Sequence, residues 1–313
     1  MKMSNLIHFT VACCIYGVLF TITAGCSNGG GRKVFSGDES LTSGLIHISV
    51  DESFKPVIDS QIKVFSSLFP KAKVIPHYKS EAECLKDLLN DSIRMVIVTR
   101  GLSEEEVNSL KDTLGFAPTW GKIASDAIAV IVNNKAKDSL FDMSDIRSLM
   151  NGTSGYKLNP VLDGKTATST IRYMIDSVLK GQSLAPGIAG ADSSEGVINY
   201  VAAHQDAIGF VGVSWIGNPD DKQQLAFLTS VRVASVQATD DKEKFIKPYQ
   251  ANIATKRYPM VRGLYYIVKE NFSGLGKGFS NFLQNEKGQL IFYRAYLVPS
   301  KMDFTLRDAE IKE

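Results

Sequence analysis

Thr168, Ser169 and Thr170 stand in a row ahead of an apolar-periodic stretch, with Arg172 two positions on. A helix cap needs one hydroxyl. Three together, with their amides and a guanidinium within a turn, read as donors gathered around an anion; an ordinary Ser/Thr-capped helix is the alternative. Thr99 and Arg100 follow the apolar run of residues 94–98 directly, where the fork of donors on Arg100 suits an oxyanion. Ser53 with Phe54, and Ser80, hold the same kind of place, at the end of an apolar run and the start of a helical pattern. Ser80 and Ser103 each open a Ser-x-x-Glu capping box, and for Ser103 the cap alone accounts for the residue. His8, His47, His77 and His204 are scattered without ligand spacing. No Ser-His-acid set and no Gly-Lys-Ser/Thr phosphate loop is present, so no catalytic residue, metal or cofactor is assigned.

The elements that must position these side chains follow from periodicity. A strand at 45–50 leads to a helix whose apolar face is Ile58, Ile62, Phe65 and Phe69, with Pro56 in its first turn and Pro70 closing it. Strands at 72–77 and 94–98 repeat the unit, each followed by a capped helix. Such alternation predicts an α/β fold, with a parallel sheet between helices. Ligands of such sheets bind beyond the carboxyl ends of the strands, where Ser53, Ser80, Thr99 and Arg100 fall. The run Ile123–Asn133, almost purely apolar from Ile128 to Val132, predicts a strand buried on both faces that leaves one lobe and enters another, with Asp126 at the mouth between them. Further strands are expected at 158–162, 207–211, 231–236 and 263–268. Helices are expected at 143–150, from 170 to 179, from 195 to 203, at 278–283 and at 287–294.

The chain has 313 residues, 44% of them hydrophobic and 22% charged, with a net charge of +2 and no basic cluster, which sets nucleic acid aside as a partner. Residues 1–25 have one basic residue, Lys2, then an apolar run and small residues, the pattern of a secretory leader. Thr23-Ala24-Gly25-Cys26 resembles the cleavage site of bacterial lipoproteins, although Thr23 stands where Leu is usual; an uncleaved membrane anchor is the alternative. The resemblance implies a lipid on Cys26, followed by a Gly- and Ser-rich tether over 26–43. Cys84 is then the one cysteine left to the folded part, where it reads as packing.

Several phrases in order resemble the phosphate-binding proteins of bacterial ABC importers, the PstS family of type II periplasmic binding proteins. They are Val98–Glu106, Ser125–Asn133, Thr168–Arg172, Ala207–Gly212, Tyr258–Tyr266, Phe279–Gln289 and Leu297–Pro299. The resemblance implies two lobes, each a sheet flanked by helices, joined by two crossing strands: 44–131 with 258–313, and 132–257. It implies inorganic phosphate held between them by Ser53, Phe54, Ser80, Thr99, Arg100, Thr168, Ser169, Thr170 and Arg172. Asp126 would accept the proton that distinguishes phosphate from sulfate, with Asp51 and Asp163 as runners-up. Ser169 replaces the family glycine, and Glu81 and Glu83 stand where the family has Gly and Ser. Glu83 is absorbed by its cap, and the role of Glu81 stays open. The expected protein is a monomeric lipoprotein of the periplasm or cell surface that delivers phosphate to a membrane permease and is not an enzyme. Another oxyanion or small acidic ligand, a phosphoester hydrolase, and a surface interaction protein with a decayed site are the alternatives.

Overall fold

The computed structural model describes residues 39–164 and 168–301. The expected leader 1–25, Cys26, the tether up to residue 38 and residues 302–313 lie outside the described residues. Three strand–helix units come first: β1 (Gly44–Asp51), α1 (Lys55–Leu68), β2 (Ala72–Lys79), α2 (Glu81–Lys86), β3 (Ile93–Val98) and α3 (Glu104–Leu114). β4 (Thr119–Asn133) follows, then β5 (Leu140–Phe141), α4 (Met143–Asn151), β6 (Asn159–Asp163), α5 (Ser169–Tyr173), β7 (Ala189–Ala191), α6 (Ser194–Ala203) and β8 (Ala207–Gly212). The remainder is α7 (Lys222–Phe227), β9 (Val231–Val233), β10 (Ser235–Gln237), β11 (Phe245–Ile246), α8 (Gln250–Ala254), β12 (Val261–Val268), α9 (Leu275–Gln284), α10 (Glu286–Arg294) and β13 (Val298–Pro299).

The main sheet runs β2-β1-β3-β12-β4-β8-β6-β7, and β4 is its hinge element. Its first part pairs with β12 as far as Ala127, and from Ile128 onward β8 takes over. One strand thus serves two half-sheets. That double membership explains its composition: from Ala127 to Val132 every side chain is fully buried, as a strand covered on both faces requires. It starts four residues ahead of the predicted Ile123, because Thr119–Lys122 extend the ladder with β12.

Within each half the strands are parallel, β1 with β2 and β3, and β6 with β7 and β8. β4 and β12 depart from the expected parallel order and run antiparallel to their neighbours. The reason is topological. A parallel neighbour needs a crossover that brings the chain back to the same end, whereas β12 re-enters the first half from the second. The predicted strand 231–236 is divided at Ala234, β9 pairing with β4 and β10 with β5 and β11. On the first half, α1 buries Val57, Ile58, Gln61 and Phe65, with Ile62 and Phe69 packed at the edge of the same core. Phe65 meets Phe279 and Phe282 of α9 with ring centroids 5.1 and 5.3 Å apart, in the tilted arrangements that aromatic pairs prefer.

Candidate functional site

The carboxyl ends of β1, β3 and β6 and the N-termini of α2, α5 and α6 meet beside β4. β1 ends at Asp51, and a single 3-10 turn, Glu52–Phe54, places Ser53 at the centre. The Asp51 Oδ1 accepts from the Ser53 amide at 3.0 Å, while the Ser53 carbonyl accepts from Ser214 Oγ and Trp215 Nε1 at 3.1 and 2.9 Å. Those two donors follow β8, so Ser53 is tied to the second half-sheet through its backbone.

The hydroxyls expected around an anion do converge, and the oxygens they meet belong to the chain. Ser53 Oγ and Thr170 Oγ1 each donate to Asp163 Oδ2 at 3.0 Å, and Thr168 Oγ1 donates to Asp163 Oδ1 at 3.1 Å. Thr168 also caps α5 by accepting from the Ile171 amide. Ser169 and Thr170 are fully buried, which an ordinary capped surface helix would not require. Beside them, Ser194 at the start of α6 bonds Glu52 through both its amide and its hydroxyl, at 3.1 and 2.8 Å from Oε2.

A second carboxylate is seated one strand away. Glu81 Oε1 accepts from the Thr99 amide at 2.9 Å and the Thr99 hydroxyl at 2.5 Å, and Glu81 Oε2 accepts from Arg172 Nε at 2.6 Å. Arg172 Nη2 also reaches Thr99 Oγ1 at 2.8 Å. Glu81 and Thr99 come from the first half-sheet and Arg172 from the second, so this triad bridges the two. Glu81, whose role the sequence leaves open, is its hub.

At the centre lies Arg262 of β12, which the sequence reading did not single out. Its Nε donates to Asp126 Oδ2 at 2.9 Å, and both side chains are almost wholly buried, 3% and 0% exposed. Its Nη1 donates to Ser169 Oγ at 2.9 Å, its central carbon lies 5.0 Å from the Phe54 ring centroid, and its Nη2 has no hydrogen-bond partner among the described residues. The available signal was a lone arginine inside an apolar central strand, Met260-Val-Arg-Gly-Leu264; a charge buried there needs a partner. Gly212, at the end of β8, is what admits it, since a Cβ at that position would lie 3.0 Å from Arg262 Nη2 and 3.2 Å from Asp126 Oδ2.

Burial dominates the electrostatics. It pushes the Asp51 carboxyl up to about 7, against the opposing pull of the Arg262 charge and the Ser169 hydroxyl, with Glu81 and Asp163 adding to the rise. Asp51 is 1% exposed and its Oδ2 makes no hydrogen bond among the described residues. Asp126 and Asp163 are raised by burial too, which Arg262 offsets only in part. Glu81 differs: burial would raise it, but the hydrogen bonds and charge of Arg172 and the two Thr99 donors outweigh that, so it is held below the usual carboxylate range. Arg262 stays charged because Asp126, Asp51 and Asp163 together overcome its own burial.

Three predicted residues take other places. Arg100, expected at the anion, turns away to form a two-pronged bond with Glu106, at 2.8 and 2.7 Å, and to the Gly101 carbonyl. The fork that suits an oxyanion is equally suited to a carboxylate six residues on, and that partner is always present. Ser80 is the N-cap of α2 in a complete capping box with Glu83. Phe54 contributes its ring, buried under Arg262. Ser80 nevertheless lines a cavity of about 520 Å³ between the halves, with Asp51, Asp163, Thr168, Lys79 and Lys86 among its walls.

The profile of the PBP superfamily domain matches residues 36–287. The phosphate-binding protein PstS of Bacillus subtilis (strain 168) is 24% identical over 308 residues, spanning 93% of this chain and 94% of that protein. A structure described as a phosphate ABC transporter substrate-binding protein with bound phosphate, from Clostridium perfringens, superposes with a TM-score of 0.68 at 19% identity, covering 82% of this chain and 100% of that one. An ABC-type phosphate transport receptor from Vibrio cholerae gives a TM-score of 0.59 at 18% identity, again over 82% of this chain and all of the other.

Proposed function

The chain belongs to the PBP superfamily, and from that premise we propose that it is an extracytoplasmic solute-binding protein that captures phosphate between two lobes for an ABC importer. The observation that carries the reading is the set of open valences around Arg262. Among the described residues its Nη2 is a buried charged donor without a partner, and Asp51 Oδ2 is a buried acceptor without one. Where Asp51 is ionised, above about pH 7, a bare oxygen and a P–O–H group on one tetrahedral anion satisfy both at once, which an unprotonated sulfate does not. The relatives' names, PstS and phosphate transport receptor, support the same ligand.

Ser53, Thr168, Ser169, Thr170 and Arg172 are the residues we assign to the anion, with Thr99 reaching it through Arg172; Asp51 and Asp126 are its proton acceptors. Arg262 joins them as the central cation. Ser80 and Phe54 serve as wall and support, and Arg100 acts by ordering the turn after β3. The two lobes are residues 44–131 with 258–313, and 132–257. The site carries no reaction of its own. The lipid-bearing Cys26, supported by the leader pattern, and the monomeric state belong to the proposal as well; no helix of the described residues is long and apolar enough to cross a membrane.

Calorimetric titration of the purified full chain tests the reading. Phosphate should bind with micromolar or tighter affinity and sulfate far more weakly, and Arg262→Gln should abolish the phosphate heat while a Tm measurement shows that the variant is folded. Absence of heat with phosphate overturns it.

A further inference from the structure

Two of the groups assigned to the phosphate, Arg172 and Thr99, already hold an anion, the carboxylate of Glu81. Four donors converge on it. The Thr99 amide and hydroxyl reach Oε1, Arg172 Nε reaches Oε2 at 2.6 Å, and Arg172 Nη2 lies 3.4 Å from Oε1. An amide, a hydroxyl and one edge of a guanidinium make the donor set of an oxyanion seat. The third nitrogen of Arg172, Nη1, lies 3.5 Å from Asp176 Oδ2. Both edges of the fork therefore face carboxylates of the chain.

Glu81 is well placed to hold that seat. It is the first residue of α2, next to the Ser80 cap, and is 2% exposed. Burial would raise its carboxyl, but the bonds and charge of Arg172 and the two Thr99 donors hold it below the ordinary range, so it is an anion at neutral pH. Its charge also reaches the other end of the site, where it is one of those that raise Asp51. Phosphate arriving between Arg262 and Asp51 thus meets a negative charge and finds the Nε–Nη2 edge of Arg172 taken.

We propose that Glu81 is a built-in competitor for the phosphate seat, which sets the affinity by holding Arg172 and Thr99 until the ligand displaces it. The inference rests on the phosphate reading above and adds what limits the strength of binding. A merely structural bridge and a competitor differ in sign. Losing a bridge lowers stability and weakens phosphate binding alike, because the paired arrangement of the two halves is then less populated. Losing a competitor lowers stability but tightens binding. The guanidinium edge and the Thr99 donors pass to the phosphate, and one negative charge leaves the site.

Calorimetric titration of phosphate into the full chain, as wild type and as Glu81→Gln, separates the two when the ligand-free Tm of each is measured alongside. Glu81→Gln should bind phosphate at least about tenfold more tightly, the scale of one charge-assisted hydrogen bond regained, while its Tm falls. Should that variant fail to fold, the wild type decides by NMR. The Arg172 Nε–H resonance should move as phosphate is added, because its acceptor changes from carboxylate to phosphate. A resonance that stays in place, or phosphate binding that is unchanged or weaker in Glu81→Gln, overturns the competitor and leaves the phosphate reading standing. No phosphate binding by either protein removes both.

Discussion

At the residue scale, the candidate site gathers hydroxyls and guanidinium groups around the chain's own carboxylates. Hydroxyls of Ser53, Thr168 and Thr170 meet Asp163, and Arg172 with Thr99 meets Glu81. Three buried carboxylates, Asp51, Asp126 and Asp163, act on one buried guanidinium, that of Arg262. Removing that guanidinium leaves Asp126 buried and uncompensated, a situation that costs about 3–5 kcal/mol. Arg262→Leu should therefore show a loss of that order in urea unfolding, and Arg262→Lys should recover only part of it, because a point charge cannot bond Asp126 and Ser169 through separate nitrogens.

The Asp51 shift yields a pH prediction with a definite sign. Its carboxyl ordinarily titrates near 3.8 and here near 7, so between those values the folded state holds a proton that the unfolded state has lost. Its contribution to stability is complete below about pH 3.8 and declines as pH rises to about 7. Asp51→Asn should flatten that decline in ligand-free Tm measurements across the same window; an unchanged slope would place the proton elsewhere.

At the scale of elements, the site exists because a small residue ends β8. Gly212 lets Arg262, Asp126 and the Ser53 carbonyl approach to where a Cβ would sit, at 3.0, 3.2 and 3.3 Å. All three are held by buried bonds and have little room to yield. Gly212→Ala should cost about 1–3 kcal/mol in chemical denaturation, the range for overpacking, and should weaken phosphate binding because it displaces Arg262. Cys84 on α2 illustrates the opposite case, a residue that does nothing but pack. Burial raises its thiol well above the ordinary range, so it should resist alkylation under native conditions and react once the chain is unfolded.

At the scale of the whole molecule, an ion pair joins the two half-sheets across the cleft. The Glu81–Arg172 pair spans it at 2.6 Å with the carboxylate 2% exposed. A double-mutant cycle through Glu81→Gln and Arg172→Gln should give a coupling in stability above the about 0.2–1 kcal/mol of exposed pairs. Phosphate at about 100 times its Kd should then add about 2.7 kcal/mol to unfolding. A coupling near zero would show that the halves close without this contact.

Much of this was legible in the amino-acid order. The strand–helix units, their caps and the fully buried run of β4 follow from patterns of two to four residues, which act through neighbours in the chain and survive in any fold. The gathering of Ser53, Thr99 and Thr168–Thr170 was legible too, since strand ends in an open sheet face one crevice. What only the tertiary structure decided is which group each side chain meets. Ser53 and Asp163 lie 110 positions apart, and Arg262 and Asp126 lie 136 apart. No local pattern records such pairings; they depend on β12 returning antiparallel beside β4. Arg100 shows the converse, a residue with the right chemistry whose partner, Glu106, stands only six positions away in the chain.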